Sequence, residues 1–257
     1  MHVYGVGVGK SGSTSMARMF DQYRSAHEVD AKRLLPIGEA ILHGDLAVDS
    51  RRVRAELRRR NWRFQLDVDS APFLNPLTPM LVELFDDARF VLVLRDCFSW
   101  LDSELEWERT HPSSDLPLFA PYRSALFPYS DDEFTADDGF LQHEGLRPVA
   151  AYLRAWGKRN EEVLRVVPAD RLLVVRTEDL DDSAARLAQF VGVPEESVVT
   201  AHANHNLDRS GLLSRVPRDA IVDCARKHCA TVMQTYWGPQ WTDLAARLPR
   251  ASPPTSS

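Results

Sequence analysis

The chain has 257 residues and a formal net charge of −6, and 44% of its residues are hydrophobic. This length is sufficient for one large α/β domain or two small ones with a buried core, and the composition is ordinary for a globular protein. The negative net charge argues against nucleic acid as a partner, and no apolar run is long enough to span a membrane.

The first fifteen residues predict a strand, a glycine-rich turn and the start of a helix. Residues 3–8 alternate apolar positions with glycine, and Met16, Met19 and Phe20 follow with helical spacing. The free N–H groups and the positive dipole end of such a helix face an anion bound over the turn. The turn also carries a cation and several hydroxyl donors, in the run Lys10, Ser11, Gly12, Ser13, Thr14 and Ser15. The segment therefore predicts a phosphate site.

Three phosphate-binding motifs nearly fit this turn. A Walker A loop requires a glycine where this chain has Tyr4. The spacing Gly7-x-Gly9-x-x-Gly12 matches the dinucleotide fingerprint of nicotinamide-dependent dehydrogenases, and Glu28 and Asp30 lie near the position of a ribose-binding acid. The run from Lys10 to Ser15 fits a third kind of phosphate-binding loop. A glycine-rich loop without a ligand is the structural alternative.

Residues 51–60 predict an amphipathic helix. They contain six arginines and one glutamate, and Val53 and Leu57 lie four positions apart. The arginines form either a solvated face or a binding patch, and a solvated face is the more frequent outcome.

Residues 62–69 alternate strictly between apolar and polar side chains, which predicts a strand. Asp67 and Asp69 share its polar face, and residues 70–72 end it. Because ligands of an open parallel sheet collect beyond the carboxyl ends of its strands, both acids are candidates for chemistry. Solvated carboxylates at a strand end are the alternative.

Residues 90–94 form a continuous apolar run, as expected for a central strand that is buried on both faces. Arg95 follows this strand, and Ser103 lies eight residues later in a helix predicted over residues 98–109. An arginine at a strand end and a serine early in the next helix can converge on one anion. The alternative for Arg95 is a structural ion pair.

A later segment repeats the pattern of strand, turn and helix. Residues 171–176 predict a buried strand, and an acidic turn with Thr177 at its start follows. The next helix ends at Gly192, in a Gly-Val-Pro stop.

Together these segments resemble sulfotransferases that use 3′-phosphoadenosine 5′-phosphosulfate (PAPS). The run from Lys10 to Ser15 resembles the family's 5′-phosphosulfate loop, and the pair Arg95 and Ser103 resembles its 3′-phosphate grip. Cys97 stands where the family usually has proline, and Thr177 stands where tyrosine is common. The resemblance covers roughly residues 1–195 as a framework.

The resemblance implies a single α/β domain over residues 1–250, with a central, mostly parallel sheet flanked by helices. Arg209, in Asp208-Arg209-Ser210-Gly211, resembles a weak version of the family's late basic loop, which touches the 3′-phosphate. Residues 104–148 are rich in aromatic and acidic side chains, and we expect an acceptor-site insertion or lid there, with a small satellite core as the alternative. Residues 251–257 predict a disordered tail.

The implied activity is transfer of a sulfuryl group from PAPS, as co-substrate, to a hydroxyl or amine of a small-molecule acceptor. Lys10 would stabilise charge, and Asp67 or Asp69 would be the base, with His27, Glu28 and Asp30 as the next candidates. No metal is required. A nicotinamide-dependent dehydrogenase and a degenerate nucleotide-binding module remain as alternatives.

The cysteines and the start of the chain predict a cytoplasmic protein. Cys97, Cys224 and Cys229 show no metal-ligand or redox spacing, and an odd number of cysteines fits a reducing compartment. No basic segment with an apolar signal core precedes the first predicted strand.

Overall fold

The structure is a computed structural model that describes residues 2–112, 115–201 and 210–248. The strands of this part of the chain are β1 (Val3–Gly5), β2 (Ser25–His27), β3 (Val68–Ser70), β4 (Arg89–Leu94) and β5 (Leu172–Arg176). They form one sheet in the order β2-β3-β1-β4-β5, and every neighbouring pair is parallel. The predicted α/β fold with a parallel sheet flanked by helices is confirmed.

Helices occupy most of the remaining described chain. They are α1 (Ser13–Arg18), α2 (Ala31–His43), α3 (Arg51–Phe64), α4 (Thr78–Leu84), α5 (Cys97–Thr110), α6 (Ala120–Leu126), α7 (Phe140–His143), α8 (Val149–Val166), α9 (Ala184–Val191) and α10 (Arg218–Trp237).

The chain divides into two compact units. The described residues of the first unit are 2–95, 121–126 and 159–201, and they contain the whole sheet. Those of the second unit are 96–112, 115–120, 127–158 and 210–248. The domain bounds and the role of residues 104–148 stay predictions, and the tail at 251–257 lies outside the described residues.

One face of the sheet in the first unit packs against α1 and α9. Because successive side chains of a strand point to opposite faces, alternate strand residues reach this core. They pack with apolar side chains from the two helices and the turn after α1, in a cluster that includes Val3, Val68, Val91, Val175, Met16, Met19, Phe20, Leu187 and Val191. The helical spacing of Met16, Met19 and Phe20 thus gives α1 its buried side.

Strand β4 is the predicted central strand. It lies between β1 and β5, and its residues from Phe90 to Leu94 are all at most 3% exposed. Because a strand that is covered on both faces buries all of its side chains, its residues are apolar without alternation, which explains the continuous apolar run.

The predicted strand over residues 62–69 is wrong. Helix α3 continues to Phe64 and ends at Gln65, which has a left-handed backbone (φ 46°), and β3 covers only Val68–Ser70. The buried positions Val53, Leu57 and Arg60 recur at helical spacing, and they fix the inner face of the helix. Trp62, the first residue of the alternating pattern, is instead 77% exposed.

The second unit has a core of its own. The ring of Phe98 stacks on Trp241 with 5.8 Å between the centroids. The buried carboxylate of Glu108 accepts a hydrogen bond from the Tyr152 hydroxyl at 2.6 Å and pairs with Arg147. This buried charge is thereby satisfied by two partners.

Candidate functional site

The strands end along one edge of the sheet, at Gly5, His27, Ser70, Leu94 and Arg176. We call this the carboxyl edge and the opposite one the amino edge. The chain reverses its direction of travel across the sheet at β1, since β3 lies on one side of β1 and β4 on the other. Such a switch point at the carboxyl edge is where ligands of open α/β sheets bind.

The loop between β1 and α1 lies at this point, and Gly7 lets it approach β4 closely. A Cβ atom on Gly7 would come within 2.8 Å of the carbonyl oxygen of Val93, a distance that side chains do not tolerate. The loop then turns through left-handed conformations at Lys10 (φ 63°) and Gly12 (φ 108°). Gly12 adopts this conformation without the steric cost that Lys10 bears.

Side chains at the ends of β3 and β5 bind carbonyl oxygens of this loop and of the first residue of α1. The Ser70 hydroxyl, at the end of β3, donates to Ser13 O at 3.0 Å. The Thr177 hydroxyl, directly after β5, lies 2.7 Å from Ser11 O and 3.1 Å from Leu94 O. The carbonyl oxygens of Ser11 and Ser13 are thus engaged by side chains of the protein.

Two further side chains complete these tethers. Arg95, directly after β4, donates from Nη1 to Lys10 O at 3.3 Å. The buried amide of Asn75 donates from Nδ2 to Val6 O at 2.8 Å. The loop is thus held along its length before any ligand arrives, which is the condition for preorganised electrostatic binding.

Hydroxyl groups line the start of α1. His27 Nε2 lies 3.0 Å from the Ser13 hydroxyl and 3.4 Å from that of Thr14. The Ser11 hydroxyl is 1% exposed and has no hydrogen-bond partner among the described residues. Likewise, no described side chain caps α1 at Gly12. A buried hydroxyl without a partner is rare, and a bound anion would supply one for Ser11.

His27 is held as a neutral imidazole near pH 7. Burial lowers its pKa, although the charge of Asp69 acts in the opposite sense. Neutral His27 can accept a proton, and its position at the end of β2 puts it at the carboxyl edge.

The two predicted acids lie away from the loop. Asp67 precedes β3, so it lies at the amino edge, where its carboxylate pairs with Arg24 at 3.2 Å. Burial raises the pKa of Asp67 and the hydrogen bonds from Arg24 lower it, with a net result below the ordinary value. Asp69 is 2% exposed, and both of its carboxylate oxygens accept hydrogen bonds from Arg60. Their roles as base stay predictions.

Glu28 and Asp30, the other candidates for the base, follow β2. The Glu28 N–H donates to Ser70 O at 3.1 Å, and burial raises the pKa of its carboxyl group. Asp30 precedes α2 and lies 3.8 Å from Arg33.

Arg95 and Ser103 fall in different compact units, so their shared phosphate grip stays a prediction. Between them, Asp96 caps α5 by accepting from the N–H groups of Phe98 and Ser99 at 3.1 and 3.0 Å. Cys97 occupies the first position of this helix. Proline is also tolerated at that position, so cysteine in place of the family's usual proline leaves the start of the helix intact. Arg209 lies outside the described residues.

Sequence reasoning missed Ser70, Asn75 and Thr177 as parts of the site. Their partners lie 57, 69 and 166 positions away in the chain, and no local pattern signals such contacts. The sequence indicated His27 only weakly, as a further candidate for the base after Asp67 and Asp69.

Two negative findings apply to residues 2–112, 115–201 and 210–248. No helix among them combines the length and the apolar character needed to cross a bilayer. The same residues contain no group of three or more His, Cys, Asp or Glu side chains that could hold a metal ion.

Comparisons with known proteins place this geometry in context. A family model described as "Sulfotransferase domain" matches residues 2–208. The crystal structure of a sulfotransferase from Alicyclobacillus acidocaldarius is similar over 93% of this chain and 98% of that chain, with 12% identity and a TM-score of 0.49. The sulfotransferase domain of the Synechococcus PCC 7002 olefin synthase is similar over 98% and 95%, with 15% identity and a TM-score of 0.42. A search of curated proteins finds no match.

Proposed function

Because this chain belongs to the sulfotransferase domain family, we propose that it transfers a sulfuryl group from PAPS to a hydroxyl or amine of a small-molecule acceptor. The observation that carries the proposal is the loop at the carboxyl edge, whose carbonyl oxygens at Lys10, Ser11 and Ser13 are bound by Arg95, Thr177 and Ser70. Membership of the family selects this function over a nicotinamide-dependent dehydrogenase.

The residues of the loop fit the 5′ end of the donor. The Ser11 hydroxyl is buried with no hydrogen-bond partner among the residues that the structure describes, the hydroxyls of Ser13 and Thr14 lie beside it in the chain, and Lys10 supplies a cation. Lys10, Ser11, Gly12, Ser13, Thr14 and Ser15 would hold the phosphosulfate, and Arg95, Ser103 and Arg209 would hold the 3′-phosphate. PAPS supplies an activated sulfuryl group on a phosphate leaving group.

In the transfer, a bond forms between the acceptor atom and sulfur while the bond from sulfur to the bridging oxygen breaks. Negative charge therefore grows on the 5′-phosphate. Lys10 and the loop amides stabilise this charge, and they do so without reorganising because the tethers already fix the loop. Such stabilisation acts on the transition state more than on the bound donor, so it raises kcat.

A base must also take the acceptor's proton. Asp69 would have to release Arg60 to act, and Asp67 lies at the amino edge. His27 is better placed than either acid, since its neutral imidazole lies at the carboxyl edge in contact with Ser13. We therefore propose His27 as the first residue to test, ahead of Asp67 and Asp69.

Titration calorimetry tests the donor. The chain should bind adenosine 3′,5′-bisphosphate and not NAD, and it should transfer label from sulfur-labelled PAPS to members of a panel of hydroxylated and amine metabolites. Binding of NAD without binding of the bisphosphate would contradict the proposal. The chain with Lys10 intact could also bind the bisphosphate and yet transfer no label from PAPS, either to water or to any acceptor. That result would favour the degenerate nucleotide-binding module instead.

The 3′-phosphate assignment has a separate test. Arg95→Ala and Ser103→Ala should weaken binding of the bisphosphate but leave binding of 5′-AMP nearly unchanged. Ser99→Ala, on the same helix as Ser103, is the matched control. If binding of both nucleotides weakens equally, Arg95 acts on the loop, to which it is bound at Lys10 O, and not on the 3′-phosphate. A double-mutant cycle shows coupling if Arg95 and Ser103 share one phosphate.

A further inference from the structure

The outer face of α3 is a continuous basic surface. Its exposed positions recur at helical spacing along the solvent side, while Val53 and Leu57 point into the core. We call this surface the arginine face, and it consists of Arg51, Arg52, Arg58, Arg59, Trp62 and Arg63.

Much of its charge is not neutralised within the described residues. Arg54, Arg59 and Arg60 pair with Glu83, Glu56 and Asp69, but Arg51, Arg52, Arg58 and Arg63 have no ion pair there. The helix carries seven arginines and one glutamate in a chain whose net charge is −6. Positive charge is thus concentrated on one helix of an acidic protein.

Trp62 lies within this charge and is 77% exposed. It is the only large hydrophobic side chain of α3 that is mostly exposed to solvent. Trp62 also lines a cleft of about 450 Å³ at the amino edge. The polar side chains that line this cleft include the two cations of Arg24 and Arg58, the ring of His2 and the carboxylate of Asp87. A single aromatic ring among cations therefore projects into solvent next to a polar cleft.

We propose that the arginine face binds the surface of an anionic lipid bilayer, with Trp62 at the level of the headgroups. Clustered arginines on a helix bind anionic lipid phosphates, and tryptophan is enriched at the membrane interface because its ring is apolar and its N–H is polar. The proposal is independent of the sulfotransferase function, since it uses no residue of the loop at the carboxyl edge.

A bilayer fits this surface better than an acidic protein does. Protein interfaces have an apolar core with several buried side chains, whereas the arginine face offers one ring surrounded by charge. A helix that exposes cations from residue 51 to residue 63 extends over about 18 Å, so it presents them along one elongated side.

Flotation with lipid vesicles tests the proposal on the full chain. The chain should bind vesicles of phosphatidylcholine mixed with phosphatidylglycerol, and it should not bind vesicles of phosphatidylcholine alone. Added salt should release the bound chain from the anionic vesicles. Arg58→Gln with Arg63→Gln should weaken binding by about tenfold or more. Trp62→Ala should also weaken it, and the blue shift of tryptophan fluorescence on binding should shrink.

The matched control is Arg165→Gln with Arg186→Gln, which removes the same charge from two exposed arginines outside α3. This variant and Lys10→Ala should bind vesicles as the unchanged chain does. Absence of binding to anionic vesicles, or equal losses in the control and in the α3 variant, would overturn the proposal. Binding of polyglutamate through Arg58 and Arg63 without vesicle binding would overturn it too, in favour of an acidic protein partner.

Discussion

The loop after β1 and the acidic segment around β3 both place polar residues next to a strand, yet they end up in different surroundings. The loop leaves the carboxyl end of β1, and its carbonyl oxygens are bound by Ser70, Arg95 and Thr177. Asp67 precedes its strand, and Asp69 lies within it against Arg60. Both carboxylates are thus already paired with arginines, whereas the loop holds the Ser11 hydroxyl, for which no described residue is a partner.

The largest effect should come from breaking the buried pair of Arg60 and Asp69. Asp69→Ala leaves an unpaired buried guanidinium, and we expect a loss of about 3–5 kcal/mol in the free energy of unfolding. Denaturant titration measures it, and Asp67→Ala, which removes a pair with the largely exposed Arg24, should cost at most about 1 kcal/mol.

Asp69 also allows a direct test of whether its carboxylate takes part in the chemistry. In Asp69→Asn, which keeps the shape of the side chain, kcat of the folded enzyme should stay near that of the unchanged chain. A drop of about a hundredfold or more, the usual reach of a general base, would instead restore Asp69 to the chemistry.

Lys10→Ala should produce the next largest effect, and it should appear in turnover. Removing one donor to developing charge costs about 2.7–4 kcal/mol of transition-state stabilisation. Steady-state kinetics should therefore show a lower kcat, while calorimetry shows a smaller change in donor affinity. A variant with unchanged kcat would remove Lys10 from the mechanism.

Gly7 and Gly9 provide a matched pair of smaller changes within the loop. A Cβ at Gly7 would meet Val93 O at 2.8 Å, whereas the nearest atom at Gly9 is 3.8 Å away on Pro72. Gly7→Ala should cost about 1–3 kcal/mol of stability by overpacking and weaken donor binding. Gly9→Ala should stay within about 0.5 kcal/mol in thermal unfolding. Equal effects would show that the close approach to β4 does not position the loop.

The smallest effect concerns pH. Because burial lowers the pKa of His27 in the folded protein, the unfolded chain takes up a proton first as the pH falls. Stability should therefore decrease as the pH drops below the ordinary histidine value of about 6.5, and it should level off below the lowered pKa. His27→Gln should flatten this part of the profile in denaturant titrations at several pH values. An unaltered slope would mean that His27 is not the group that titrates.

The sequence allowed the fold and the loop to be predicted because both depend on local patterns. The apolar run at β4 and the glycine spacing after β1 are each contained in fewer than fifteen residues. The strand predicted over residues 62–69 was wrong because the last turn of α3 alternates in polarity as a strand does. The true strand, β3, has only three residues. The tethers of the loop could not be predicted, since they join residues that only the completed sheet brings together.

Thr177 also bears on how the protein matures. Its hydroxyl contacts Ser11 O across 166 positions of sequence, and Ser70 contacts Ser13 O across 57. During synthesis the ribosome adds Thr177, whose hydroxyl binds Ser11 O, 166 positions after Ser11 itself. A nascent chain that stops before β5 therefore has the complete motif without its full set of tethers.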